Sequence, residues 1–95
     1  MTIQDALDNA DNWWRDPAER ALAWWAETGQ PFTVDDLRDL GVPEPDNPAR
    51  WGALFAGGQK QGLVRPIGYS QSRRRVRHGS VIRVWKGIAV EERAA

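Results

Sequence analysis

A chain of 95 residues with a net charge of zero is long enough for one small domain with a single core. It contains no cysteine, which excludes a disulfide framework and a thiolate metal site. It also has no stretch near the roughly 18 apolar residues of a membrane span and no basic N-terminal region leading into an apolar one, so we expect a cytoplasmic protein without a membrane partner.

The charged residues are separated along the chain. Residues 1–48 carry eleven acidic side chains and three arginines, whereas residues 49–90 carry nine basic side chains and no Asp or Glu. An ordinary soluble surface mixes both signs. More than forty residues without an acid are typical of a surface that binds a polyanion, and double-stranded DNA is the partner that we expect.

The first fifteen residues are predicted to form an extra N-terminal amphipathic helix. Its apolar positions recur at helical spacing and are Ile3, Ala6, Leu7, Ala10 and Trp14. Two interpretations remain open. The helix folds onto its own domain, or it docks on a second copy or another protein with Trp13 and Trp14 as partner-binding anchors.

Two core helices are predicted next. Asp16-Pro17-Ala18-Glu19 has the composition of a helix start, and Gly29 would end that helix near Thr28. Thr33 and Asp36 predict a capping box at a second, shorter helix that stops at Gly41. The residues of this second helix expected to face inward are Leu37, Leu40 and Val42.

The third helix, over 48–61, is the predicted recognition helix. Asn47 is its expected cap and Gly62 the left-handed residue that ends it. Its apolar face comprises Trp51, Leu54, Phe55 and Gly58. The adjacent glycines Gly57 and Gly58 weaken a helix, from which a purely structural helix gains nothing. We interpret the small residues of the exposed face, Gly57 among them, as an adaptation for close approach to another surface. Few exposed side chains there can contact base edges, which predicts weak sequence specificity.

A β-hairpin is predicted to follow, with strands over 63–70 and 81–86. Ile82 and Val84 would lie on one face of the second strand and Trp85 on the other. The expected core brings together Trp25, Leu54, Phe55 and Ile82. The hairpin tip is rich in basic residues, which are Arg73, Arg74, Arg75, Arg77 and His78.

The segment PEPDNPARWGALFAGGQKQGLVRPIGYSQSRRRVRHGSVIRVWKG resembles small winged-helix DNA-binding proteins encoded by bacteriophages, especially those of actinobacteria. The resemblance covers about 17–88. It implies an α+β winged helix-turn-helix, with a three-helix core and a two-stranded β-hairpin wing, and a role near transcription regulation or DNA replication. Residues 1–15 fall outside the resemblance. The predicted organisation of the chain is an N-terminal amphipathic helix (1–15), a winged-helix domain (16–88) and a flexible C-terminal tail (89–95).

No enzymatic chemistry is expected. His78 is the single histidine, and neither a Walker loop nor a nucleophile elbow is present, so we predict no catalytic residue, no metal and no cofactor. The predicted DNA-binding residues are Asn47, Arg50, Lys60, Gln61, Arg73, Arg74, Arg75, Arg77 and His78. The alternative is a winged-helix adaptor that binds a host or phage protein through its Trp-bearing acidic half.

Overall fold

The computed structural model describes the backbone of residues 3–72 and 81–89, and the side chains of residues 13–72 and 81–89. The described residues form α1 (Ile3–Thr28), α2 (Val34–Asp39), α3 (Ala49–Lys60), β1 (Val64–Gln71) and β2 (Val81–Gly87). The two strands pair antiparallel. The predicted α+β class, with helices followed by a hairpin, is therefore confirmed.

α1 is one continuous helix with Pro17 inside it. The prediction of two separate helices meeting at Asp16 is wrong. Proline in a helix interior costs about 3 kcal/mol, but the buried side chains on either side of it lie along one stripe. These are Trp14, Ala18, Ala21 and Leu22. Because this stripe continues without a phase change, burial of Trp14 before Pro17 and of the three residues after it offsets the lost backbone hydrogen bond.

α2 begins as predicted. The Thr33 N–H donates to the Asp36 carboxylate (2.8 Å), the reciprocal half of a capping box. Leu37 and Val42 are buried, but Leu40 is 46% exposed, so its predicted inward orientation is wrong. Gly41 at φ +104° ends the helical path after Leu40 and turns the chain so that Val42 enters the core instead.

α3 also has the expected ends. The Asn47 side chain accepts a hydrogen bond from the Ala49 N–H (3.0 Å), and Gly62 has φ +77°. Gly58 is buried, and a Cβ there would lie 2.8 Å from Leu22 Cδ2. Gly58 therefore permits close packing of α3 on α1 inside the domain. Its predicted place on the buried face of the helix is confirmed, whereas a Cβ on Gly57 would meet no atom within 4 Å.

The hairpin is joined to the connection between α1 and α2. Phe32 and Trp85 exchange two backbone hydrogen bonds of 2.8 Å, which form an isolated bridge beside β2. Within the hairpin, Pro66 pairs with Trp85 and Gly68 with Val84, so Ile67 forms a bulge. The bridge places the Trp85 side of β2 toward the helices.

Aromatic side chains connect the helices to the hairpin through the core. Phe32 stacks on Trp25 (5.7 Å between ring centroids) and lies 6.1 Å from Phe55, which stacks on Trp85 at 4.8 Å. Of the predicted core, Phe55 is buried, and Trp25 and Leu54 are partly buried against it.

Ile82 and Val84 lie on one face of β2 and Trp85 on the other, as predicted, but the prediction that Ile82 belongs to the core is wrong. Ile82 is only half-buried, and Trp85 is the core residue of this strand at 7% exposure. The indole removes more apolar surface from water than an isoleucine side chain. The Phe32 bridge fixes the strand in the orientation that buries it.

Candidate nucleic-acid interface

Four basic side chains lie at the end of α3 and on the hairpin. Arg65 and Lys86 are direct cross-strand partners and share one face, Arg83 pairs with Tyr69 on the other, and Lys60 is exposed in the last turn of α3. Within the described part of the chain, none of these four has a carboxylate partner. Like charges directly opposite each other destabilise a strand pair. A bound anion would therefore reduce the repulsion between Arg65 and Lys86.

Arg50 is differently placed from these four residues. Its Nε lies 2.5 Å from Asp46 Oδ1, one helical turn before it, and its side chain is 30% exposed. The hydrogen bond from Arg50 lowers the pKa of Asp46 below its ordinary value of 3.8. Arg50, predicted to contact bases, is thus ion-paired at the start of α3.

The remaining predicted contacts on α3 lie at its two ends. Asn47 is exposed, but its side-chain oxygen accepts the Ala49 N–H. Lys60 and Gln61 are exposed at the other end, about 15 Å from Arg50 by helical rise. From Ala49 to Lys60, the other exposed residues of α3 are the small Ala49, Gly52, Ala53 and Ala56, and Gln59 next to Lys60.

The residues predicted at the hairpin tip, Arg73, Arg74, Arg75, Arg77 and His78, lie outside the described residues. Their predicted role is therefore untested. Ser72, the residue just before this tip, is buried, and its hydroxyl donates to Asp35 Oδ2 (3.1 Å). The end of β1 is thus attached to the first turn of α2.

Asp35 belongs to a polar cluster that the sequence analysis missed. It is buried and accepts a hydrogen bond from Arg38 (3.0 Å), which also pairs with Glu44 and lies 5.0 Å from the Trp51 ring centroid. This cluster fixes the turn at 40–48 to both neighbouring helices. Arg38 was detectable as the one basic residue between positions 21 and 49, three residues after an acid.

Of the two predicted partner-binding anchors, Trp14 is a core residue. It is 5% exposed, packs edge-on against Trp51 (5.1 Å), and its Nε1 donates to the Pro43 carbonyl oxygen (2.7 Å). Its predicted role as a partner-binding anchor is therefore wrong. Trp13 is 56% exposed, so its predicted role as a partner-binding anchor stays a prediction. Trp24, eleven positions along the same helix, is 52% exposed and was not predicted to be accessible.

A groove of about 390 Å³ lies on the surface between α3 and β2. Trp51, Phe55 and Trp85 contribute apolar surface to it, while Arg83 and Gln59 contribute polar groups. The part of the chain that the structure describes has no cluster of three metal-ligating side chains and no helix long and apolar enough to cross a membrane. The side chains that line this groove offer charge, hydrogen bonding and aromatic contact.

The described residues define a small α+β domain in which three helices pack with an antiparallel hairpin. No family model matches the chain, and neither the curated proteins nor the solved structures contain a match to it. The resemblance to phage winged-helix proteins therefore stays a prediction that these comparisons do not test.

Proposed function

We propose that the protein is a non-catalytic DNA-binding protein of the winged helix-turn-helix type. α3 would enter the major groove, and residues 73–79 would contact phosphates or the minor groove. The observation that carries the proposal is the run from 49 to 90 with nine basic residues and no acid. The order α1, α2, α3, hairpin is the order expected for such a fold, and the charge run comprises α3 and both strands.

The surroundings of the described basic residues support a polyanion as the partner. The acids of α2 and of the turn before α3 include three that are paired with arginines of the domain, since Asp35 and Glu44 bind Arg38 and Asp46 binds Arg50. In contrast, Arg65 and Lys86 stand opposite each other without a carboxylate among the described residues. Binding of phosphates by such cations releases counterions from DNA, which makes affinity strongly dependent on salt.

The exposed face of α3 favours affinity over sequence specificity. Base recognition uses bidentate contacts from Arg, Asn or Gln side chains. Most exposed residues of α3 are small, and Arg50 is held by Asp46. The exposed long polar side chains, Gln59, Lys60 and Gln61, are at its C-terminal end. We therefore propose that phosphate contacts supply most of the binding free energy and that the discrimination between sequences is modest.

A salt titration with duplex DNA tests this proposal. Replacing Arg73, Arg74, Arg75 and Arg77 by Ala should weaken binding to every duplex about equally and reduce the slope of log K against log salt by just under one unit per lost contact. Arg50→Ala should change the preference between sequences only modestly, because Asp46 already holds the Arg50 side chain. Unchanged affinity and slope in the four-Ala variant would overturn the proposed role of the wing.

A matched control separates local contacts from a general loss of charge. The pair Arg73→Ala/Arg74→Ala removes two positive charges from the proposed interface, and Arg15→Ala/Arg20→Ala removes two from α1. Only the first pair should reduce the salt slope. An equal reduction of the slope in both double variants would show that net charge alone governs binding, and an unchanged slope in both would overturn the phosphate contacts of Arg73 and Arg74. A regulatory or replication role in a bacteriophage is a further proposal that depends only on the sequence resemblance.

The exposed side of α1 favours a second candidate function, that of a protein-interaction adaptor. Trp13 and Trp24 lie on one helical face, and the nearby Leu40 is 46% exposed. Exposed tryptophans are frequent anchors of protein interfaces. If this face forms a homodimer, light scattering should give a dimer mass for the parent chain and a monomer mass for Trp13→Ala/Trp24→Ala. A monomer mass for both across the concentration range would exclude self-association through this face.

A further inference from the structure

We propose that Tyr69, held by Arg83, is a stacking site for an unpaired DNA base, so that the protein binds DNA that contains a single-stranded region. This inference rests on the proposed DNA-binding function and extends it to a substrate class. It concerns a side chain on the hairpin that the predicted interface did not include.

Cross-strand contacts fix the orientation of the Tyr69 ring. Tyr69 and Arg83 are direct partners in the strand register. The Arg83 guanidinium donates to the Tyr69 hydroxyl (3.1 Å), and its carbon lies 5.5 Å from the Tyr69 ring centroid and 5.9 Å from that of Trp85. Since Trp85 is buried, this chain of contacts connects the exposed ring to the core. An aromatic ring ordered in advance loses little conformational entropy on binding.

The surface of Tyr69 remains largely accessible in spite of these contacts. The residue is 67% exposed, and so is Val81, in the next cross-strand pair on the same face. Arg83 has no carboxylate partner within the described residues. An accessible aromatic ring beside a guanidinium without an acid is the combination that binds a base by stacking and its phosphate by charge.

A nucleobase must be unpaired and unstacked to use this site. In a duplex both faces of each base are covered by its neighbours, so a tyrosine on a strand can contact only the backbone or a groove edge. In single-stranded DNA the base faces are free, and stacking on an aromatic side chain tolerates every base. Arg65 and Lys86 lie on the face of the hairpin opposite Tyr69. The face with Tyr69 would then stack on an unpaired base, whereas the face with Arg65 and Lys86 would bind phosphates.

Fluorescence anisotropy with matched oligonucleotides tests the site. The probes are an oligothymidine of about 12 nucleotides, within the range of known single-strand sites, a blunt duplex of the same length, and that duplex with a single-stranded overhang. Tyr69→Ala should weaken binding to the oligothymidine and the overhang by about 5- to 150-fold, the range for loss of one stacked base. Binding to the blunt duplex should stay unchanged.

Two further variants show whether the aromatic ring is the active feature. Tyr69→Phe keeps the stacking surface and should retain most of the single-strand affinity, whereas Tyr69→Leu keeps an apolar side chain without a ring and should behave like Tyr69→Ala. Ile67→Ala, at the exposed bulge two residues away, is the matched control and should bind all three probes like the parent. Parental binding by Tyr69→Leu would overturn the stacking site.

The possible failures can be told apart. If no probe binds in a salt-dependent manner, the proposed DNA-binding function is wrong and the stacking site falls with it. If the blunt duplex binds with the expected salt slope but Tyr69→Ala retains the parental affinity for the oligothymidine, only the stacking site is wrong. An equal loss on all three probes would also overturn it, because Tyr69 would then contact a feature that single strands and duplexes share.

Discussion

Phe55 connects the three main parts of the core. It lies on α3, stacks on Trp85 of β2 and contacts Phe32 in the connection before α2. We expect Phe55→Ala to reduce the free energy of unfolding by about 3–5 kcal/mol, through lost burial and the cavity that remains. Small domains have about 5–15 kcal/mol in total, so much of the stability would be lost.

Chemical denaturation monitored by circular dichroism measures this loss. Trp13→Ala is the control, because it also removes a large aromatic side chain, but one that is 56% exposed. We expect this control to unfold within about 0.5 kcal/mol of the parent, as for most surface substitutions. A Phe55→Ala protein that unfolds like the parent would show that the aromatic contacts of α3 do not stabilise the domain.

At the residue level, the sequence predicted the features that depend on immediate neighbours. The capping box at Thr33, the cap at Asn47 and the left-handed Gly62 each follow from the chemistry of a few adjacent positions. The orientation of Trp85 was not predictable in this way. It depends on a bridge to Phe32, which is far away in the sequence.

At the level of elements, the proline in α1 explains the main error. Asp16-Pro17 has the composition of a helix start, and local rules end the preceding helix there. The helix continues because Trp14 and Ala18, on either side of this dipeptide, are buried against the same core. The equal phase of the two apolar stripes was present in the sequence, whereas the core surface that covers Trp14 and Ala18 was not.

The adjacent glycines of α3 have different surroundings, and substitutions should separate them. Gly57→Ala adds a methyl group that meets no atom within 4 Å, so we expect it to stabilise the protein by about 0.5–1 kcal/mol through helix propensity. Gly58→Ala gains the same propensity but places its Cβ 2.8 Å from Leu22 Cδ2 and 3.2 Å from Val64 Cγ2. Overpacking of this kind costs about 1–3 kcal/mol.

We therefore expect Gly58→Ala to melt below the parent and Gly57→Ala above it in parallel thermal unfolding experiments. The two variants have the same composition and the same helix, so their difference reports the packing of α1 on α3. Equal or reversed melting temperatures would mean that the helices separate enough to accept a methyl group. The fit around Gly58 would then not limit their distance.

For the whole molecule, the sequence predicted the charge separation but not how each charge is used. The run without acids was visible in the sequence. Among its basic residues that the structure describes, on α3 and the hairpin, Arg50 alone has a carboxylate partner. Ion pairs across a turn depend on side-chain geometry, which composition does not contain. The stacking pair Tyr69–Arg83 depends on strand register, which the bulge at Ile67 shifts.

The ion pair between Asp46 and Arg50 leads to a prediction about DNA affinity. Because the pKa of Asp46 is lowered below its ordinary value of 3.8, the pair is intact at pH 7 and is lost only as the pH falls through that lowered pKa. Asp46→Asn removes the pair at neutral pH. If Arg50 then contacts a phosphate, duplex affinity should rise and the salt slope should increase by just under one unit.

Two comparisons isolate the role of Arg50 in this gain. Glu27→Gln makes the same change of charge at an exposed position near the end of α1, and we expect it to leave the salt slope unchanged. In the double variant Asp46→Asn/Arg50→Ala, the gain should disappear, since the cation that was released is absent. If the double variant bound DNA as tightly as Asp46→Asn alone, the gain would come from removing a repulsive acid. Arg50 would then be a structural partner of the turn at 40–48 and would not contact DNA.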